Sequence, residues 1–315
     1  AALLPEDALL PDLIAHRIVH GGSRFAPALI TDELIGELSI LAPLAPLHQI
    51  AALALARAAR ARWPDAKHIA VFDTAWHATL ANWSRRLPVP QALHDAGIMR
   101  YGFHGLAFQS AMRQLSEIDG TAVHQRVVIA HLGSGCSLCA VDQGRSIDTS
   151  MSMTPLDGLP MATRSGNLDP NVVLFMQRQL NMSHADIEKT LWRESGLFGV
   201  SGISGDMRYL LTASDKPSKL AVEQFVMRVA QGIASMATSL GGIDAIVFSG
   251  GIGTQSPIIR QRVVDLLAWT GLRLDQERNN TRAACLEADE SRAKIWSIMV
   301  DEEFELSQAA IIFSE

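Results

Sequence analysis

Three cysteines, two tyrosines and no uninterrupted apolar run are the first limits on this 315-residue chain. So few cysteines, and an odd number, exclude a disulfide-stapled scaffold. Cys136 and Cys139 form a C-x-x-C, but no second pair exists to complete a zinc site, and all three thiols are expected reduced, in a cytoplasmic protein. The most apolar stretch, residues 34–56, is broken by Glu37, Pro43, Pro46 and His48, so no segment of about 20 apolar residues is available to span a membrane. Positive charge is in short supply as well. Lys and Arg number 27 against 33 Asp and Glu, a net charge of −6, which argues against a general nucleic-acid binder while leaving room for local arginines around a small anion. Residues 1–11 carry Glu6 and Asp7 and no basic stretch, so no secretory signal is expected. A Ser nucleophile elbow, an H-E-x-x-H pair and a G-x-x-x-x-G-K-S/T loop are all missing, which weakens hydrolase, zinc-protease and P-loop readings.

What is present is a 48% hydrophobic composition long enough for two globular units. The first 75 residues alternate strand and helix. An apolar run at 14–20 closes on Gly21-Gly22, and Thr31 is placed to cap a helix whose first turn holds Asp32 and Glu33. An alanine-rich helix is expected at 49–63, then a β-rich run at 68–72 ending at Asp73-Thr74. Farther on, strands are expected at 126–132 and 136–141, joined by Gly133-Ser134-Gly135, with a third at 145–149 after a Gln143-Gly144 turn. Asp169-Pro170 and the Ser183/Asp186 pair read as helix starts, and a long helix at 218–240 stops at Gly241-Gly242. A buried strand at 245–248 leads into a glycine loop at 249–253, and Ser256-Pro257 opens another helix. Strands at 273–275 and 294–299 and a helix at 302–310 complete an α/β pattern.

Chemistry gathers where elements end. Gly133-Ser134-Gly135 is either a phosphate cradle or a tight hairpin turn, because glycines let backbone N–H groups approach an anion. Gly251-x-Gly253, with Asp275 about 20 residues on, outlines a dinucleotide loop and predicts NADH binding, but Ser256 stands where the third glycine belongs. Arg164, set among Thr163, Ser165 and Gly166, presents a planar fork suited to carboxylate or phosphate; a surface ion pair is the other reading. Arg17, His20, Asp73 and His104 each sit at an element end beside a turn residue, which points to one convergent site.

Taken together, the blocks HRIVHGG (16–22), LAPLH (44–48), VFDTAWH (71–77), RYGFHG (100–105), HLGSGCS (131–137), DTSMSMTPLDG (148–158), TRSGNLDP (163–170), SGLFGVSGISGDMR (195–208) and DAIVFSGGIG (244–253) resemble the acetate kinases and their propionate and butyrate relatives. That resemblance implies an α/β fold of two actin-like (ribonuclease H-like) domains of the acetate and sugar kinase/actin superfamily. The first would be incomplete, residues 1–74 joined by a C-terminal helix at 303–315, and residues 75–302 would form the nucleotide-binding domain. It implies transfer of the terminal phosphoryl group of ATP, with Mg²⁺, to a short carboxylate such as acetate.

Roles follow from the same resemblance. Asp73, His104 and Arg164 would be catalytic; Arg17, His48 and Pro155 would hold the substrate. His131, Gly133, Ser134, Gly135, Asp206, Met207, Arg208, Gly250, Gly251 and Gly253 would contact the nucleotide, and Glu302 would help hold magnesium. A homodimer is implied, with no nucleic-acid or membrane partner. The family opens with a strand and an Asn/Ser-rich phosphate turn, and this chain is expected to be a trimmed form starting downstream of them. Ser134 replaces the usual Asn, Asn167 an Asp, Thr254-Gln255 a Glu-Asn pair, Leu106-Ala107-Phe108 a polar triplet, and Gln49 departs from the usual residues after His48. These changes keep a non-catalytic nucleotide-binding relative, or a kinase preferring propionate or butyrate, as alternatives.

Overall fold

A computed structural model describes residues 10–281 and 283–314. The acidic start at Glu6 and Asp7, and the last residue of the expected terminal helix, lie outside the described residues. Two sheets organise the chain. The first is three-stranded, in the order β1 (Leu13–Ile18), β3 (Lys67–Phe72), β2 (Ala28–Leu29), with β1 and β3 parallel and β2 antiparallel to β3. The second has five strands, β4 (Arg126–Leu132), β5 (Cys136–Asp142), β6 (Arg145–Thr149), β7 (Ala245–Ser249) and β8 (Lys294–Ser297), in the order β6-β5-β4-β7-β8. The β4-β5-β6 ribbon is antiparallel, whereas β4, β7 and β8 run parallel.

Successive side chains of a strand point to opposite faces, and the second sheet uses both. On one face Val128, Ala130, Leu138, Ala140, Ile246 and Phe248 meet Phe225, Val229 and Ile233 of the long helix Lys216–Ser239. On the other, Val127, Ile129, Cys139, Val141, Ala245 and Val247 meet Phe108, Ala111 and Leu115 of the helix Gly105–Ile118. The first sheet is covered likewise. Ile18, Ala70 and Phe72 pack against the helices Asp32–Ile40 and Gln49–Arg62, while Ile69 and Val71 pack against Leu106 of the helix Gly105–Ile118 and Ala310 of the helix Glu302–Ser314.

Helix starts follow the expected chemistry. The Thr31 side chain accepts from the Leu34 N–H, Asp169 from Asn171 and Ser183 from Asp186. Gln143 and Gly144 both take positive φ, 50° and 71°, which suits the tight β5–β6 hairpin. Four expectations shift. The long helix begins two residues earlier, because Asp215 caps it and Pro217 fits its first turn. Residues 249–253 are no loop: the helix Gly250–Gln255 starts directly after β7. The strand expected at 273–275 reduces to one bridge, Leu274 with Glu287. The terminal helix runs on to Ser314. No described helix is long and apolar enough to cross a membrane.

Candidate active site

The C-terminal ends of parallel strands are where α/β folds place ligands, and β1 and β3 supply the first two site residues there. Arg17 lies opposite Val71 in register, and Asp73 follows β3 with its N–H on the Ile18 carbonyl (3.0 Å). Arg17 Nε donates to both Asp73 oxygens (3.0 and 3.1 Å) and Nη2 to Oδ2 (2.8 Å). Its Nη1 lies 2.7 Å from Glu302 Oε2, off the hydrogen-bond axis, so that buried oxygen has no aligned donor. Burial opposes the charge on Arg17, but Asp73 and Glu302 outweigh it and raise the pKa above the usual arginine range. Burial pushes the Glu302 carboxyl up; Arg17 opposes this and Asp73 adds to it.

His104 is seated by glycine geometry. It takes the left-handed conformation (φ 60°, ψ 29°) just ahead of the helix Gly105–Ile118. Gly105 donates its N–H to the Asp73 carbonyl at 2.9 Å, and a Cβ at Gly105 would lie 2.2 Å from that oxygen. Only glycine lets the helix start this close, so the positions of Asp73 and His104 are linked. The His104 ring lies 5.0 Å from the His131 ring. Its Nδ1 is 2.8 Å from Ser137 Oγ, and His131 Nδ1 is 3.1 Å from Ser249 Oγ. Burial, then His131, Arg17 and Arg164, hold His104 well below its usual pKa. Burial and Arg17 bring His131 down to about 4, so both rings are neutral at pH 7.

Between β4 and β5, Gly133-Ser134-Gly135 closes with the Gly133 N–H on the Gly135 carbonyl, 3.0 Å. A Cβ on Gly135 would lie 3.3 Å from His104 Nε2 and 3.7 Å from Arg164 Nη1. The two side chains therefore converge on the same bare backbone. Arg164 is only 9% exposed and has no carboxylate partner among the described residues. Its Nη1 donates to the Pro155 carbonyl (3.1 Å), its Nη2 lies 3.0 Å from His48 Nε2, and its guanidinium sits over Trp192. A guanidinium only donates, so His48 Nε2 accepts and the His48 proton rests on Nδ1. Burial, Arg164 and Arg17 lower the His48 pKa accordingly.

A hollow of about 540 Å³ opens onto this cluster. Arg17, His104, His131, Gly133, Ser134, Gly135, Gly250, Gly251 and Glu302 line it, joined by Thr254 and Gln255, the pair that departs from the family pattern, and by Met299 and Val300, which no motif marks. A cavity of about 790 Å³, bordered by Asp148, Gly158 and Phe225, holds none of the proposed site residues, whereas a hollow of about 800 Å³ borders Arg17 and Glu302, so the convergence of charge selects the site.

Several expected residues fall elsewhere. His20 is fully buried, its ring edge-on to Tyr101 and Phe103 and hydrogen-bonded to backbone, so it serves the interior. The Met207 side chain packs into the core beside Leu210. Gly253 lies inside a helix against Ala130 and Phe248, off the hollow. Asp206 caps the helix Met207–Thr212 and pairs with the exposed Arg208 at 2.7 Å. Neither reaches the hollow, although the neighbouring Gly205 abuts Ala162, whose N–H binds the Ser134 carbonyl. Asp275, the acid of the dinucleotide outline, is used as a helix cap for Arg278. Cys136 and Cys139 are buried with thiols pushed up to about 12, so neither is a nucleophile at neutral pH.

A two-sheet α/β frame with a buried, acid-free arginine beside a glycine turn and two neutral histidines is the architecture of an anion-handling enzyme. Residues 5–308 match the Acetokinase family, and the chain belongs to that family of carboxylate phosphotransferases. The acetate kinase of Methylocella silvestris is 45% identical over 289 residues, covering 91% of this chain and 72% of that protein. A propionate kinase from Francisella tularensis superposes with a TM-score of 0.91 at 36% identity, covering 96% of this chain and 79% of its own. The acetate kinase of Porphyromonas gingivalis does so with 0.88 at 32%, covering 96% and 78%. The fold is that of the acetate and sugar kinase/actin superfamily.

Proposed function

We propose that the protein transfers the terminal phosphoryl group of ATP to a short-chain carboxylate, with acetate as the first substrate to test. The observation that carries this reading is Arg164: a buried guanidinium without an acid partner among the described residues, aimed at the same backbone as His104, asks for an anion. Its fork, fixed by Pro155 and His48, suits the carboxylate of the substrate. The N–H groups of Ser134, Gly135, Gly250 and Gly251, on backbone bordering the hollow, suit the phosphates. Asp206 and Arg208 are assigned to the nucleoside on family resemblance. The residues divide into an N-terminal unit, 1–74 with the terminal helix, and a nucleotide-binding unit between them.

One carboxylate oxygen attacks the terminal phosphorus, the bond to the bridging oxygen of ATP breaks, and ADP leaves with that electron pair. No proton moves, so no general base is needed. Charge spreads over three equatorial oxygens in the transition state, where fixed donors on His104, His131 and Arg164 lower the barrier. Arg17 is committed to two carboxylates, so its part is to hold Asp73 and Glu302 in place and extend positive charge toward the phosphoryl group. Those two acids fit magnesium: Mg²⁺ takes one or two carboxylates plus substrate oxygens, and Glu302 Oε2 is buried without an aligned donor. When bound, the ion would neutralise charge on the phosphates.

A cytoplasmic homodimer completes the reading. The helix Pro170–Arg178 has no buried residue and exposes Val172, Leu174 and Phe175, an apolar face that a second copy would cover, which sedimentation would test. The central experiment incubates the protein with ATP, Mg²⁺ and acetate, propionate or butyrate, and traps the product with hydroxylamine. Acyl hydroxamate formed by the protein and lost in Arg164→Ala supports the assignment; none from any of the three acids overturns it.

A further inference from the structure

Two histidines face the hollow, and each is held at Nδ1 by a serine hydroxyl that has no other hydrogen-bond partner among the described residues. Ser137 and Ser249 are both fully buried, so water cannot serve their O–H groups. Ser137 lies on β5 directly opposite His131, and Ser249 ends β7 directly opposite His131 on its other side. A buried hydroxyl left without an acceptor costs about 1–3 kcal/mol, which decides the direction of each bond. If Nδ1 carried the proton, it would donate to the serine oxygen and the serine hydrogen would be stranded. If the serine donates, both its hydroxyl and Nδ1 are satisfied. The imidazole proton then rests on Nε2, which in His104 has no hydrogen-bond partner among the described residues and lies close to Gly135.

We propose that Ser137 is a positioning residue that keeps the His104 proton on Nε2, so that a neutral ring presents a hydrogen-bond donor to the transferring phosphoryl group, with Ser249 doing the same for His131. The proposal rests on the kinase reading above and adds the device that orients its donors. It also explains why a histidine serves beside Arg164. Burial, together with the two neighbouring guanidinium groups, opposes a further positive charge here, so a donor is obtained through tautomer choice instead of protonation. No bond to the histidine forms or breaks; the ring donates a hydrogen bond to the phosphoryl oxygen throughout the transfer.

The test uses the whole chain with ¹⁵N-labelled histidine and long-range ¹H–¹⁵N correlation at pH 7.5, His104→Gln serving only to assign the signals. The expected spectrum shows His104 protonated at Nε2 and bare at Nδ1. In Ser137→Ala the His104 signals move toward the opposite tautomer or a mixture, and kcat falls about 10–100-fold, the scale seen when the outer hydrogen-bond partner of a functional histidine is removed. KM values for ATP and carboxylate change little, and Ser137→Thr, which keeps the hydroxyl, restores both spectrum and kcat. A proton on Nδ1 in the unsubstituted protein overturns the proposal, as does a Ser137→Ala protein with unchanged kcat. A merely structural serine would lower thermal stability without moving the tautomer. Should Ser137→Ala fail to fold, the unsubstituted spectrum still decides. Should the protein make no acyl phosphate, the kinase reading falls while the tautomer remains measurable.

Discussion

Arg164 illustrates how function is recorded as a cost to stability at a single residue. Burying a charge without a counter-charge is unfavourable, and its hydrogen-bond partners among the described residues are a carbonyl, a thioether and an imidazole. Arg164→Met keeps length and apolar contact with Trp192 while removing the charge. Its turnover is expected to fall by about 10²–10³-fold, as when one fixed transition-state donor is lost, while the melting temperature stays level or rises. Arg164→Lys is expected to recover little, because an ammonium lacks the two-pronged geometry. A melting temperature that drops steeply in Arg164→Met would show that the guanidinium holds the fold together. At this scale the sequence was informative about residue type and silent about partners. An arginine among Thr163, Ser165 and Gly166 was legible from the chain as a candidate anion ligand, though its burial was not. Ser137 was not, because its partner His104 is 33 residues away, nor Ser249, which is 118 residues from His131. His20 misled for the opposite reason: a strand-end histidine beside Gly21-Gly22 looks the same from the chain whether its ring faces a ligand or Tyr101.

Elements were the most legible level, since capping and alternation are local. Thr31, Asp169 and Ser183 cap as their spacing implies, and β4 and β5 alternate between two cores as buried strands should. The glycine run after β7 was read correctly as special and wrongly as a loop, because glycine permits both a loop and a helix start and only the tertiary neighbours choose. Those neighbours give Gly250 and Gly251 different duties. Gly250 has φ 74°, and a Cβ there would lie 2.6 Å from the Leu132 carbonyl, whereas a Cβ on Gly251 meets nothing within 4 Å and would project into open space bordering the hollow. Gly250→Ala is expected to destabilise by about 2–4 kcal/mol through backbone strain and the clash, seen as a melting temperature several degrees lower. Gly251→Ala is expected to melt with the unsubstituted protein yet raise KM for ATP about tenfold, since a methyl group keeps phosphate from the N–H groups. Equal stability losses in the two variants, or an unchanged KM in Gly251→Ala, would contradict this division.

The whole molecule is joined by neutral histidines. His20, from the segment after β1, hydrogen-bonds the Met153 carbonyl beyond the second sheet (3.3 Å). His77, after β3, spans Ser146 on β6 (2.8 Å) and the Phe103 carbonyl (3.0 Å). In both rings Nε2 donates to a carbonyl, so Nδ1 must accept, from the Gly22 N–H in one and the Ser146 hydroxyl in the other. Protonation would turn that acceptor into a donor facing a donor, inside a site that already resists charge. Burial accordingly brings both down to about 4, from 6.5, and His16, against His68, to about 4 as well. The sign follows from proton counting. Between pH 6.5 and 4 the unfolded chain binds protons at these positions and the folded chain does not, so stability rises with pH across that window and is lost as acid brings the pH down through it. The melting temperature is therefore expected to be level above about pH 7 and to fall progressively toward pH 4, with the contacts between the two sheets loosening first. His77→Gln keeps polar contacts but cannot titrate. It is expected to melt lower than the unsubstituted protein at pH 7.5 and to show a shallower decline toward pH 4, so that the two curves converge in acid. Parallel curves would mean that His77 binds protons equally in both states, and the acid sensitivity would then lie with His16 and His20.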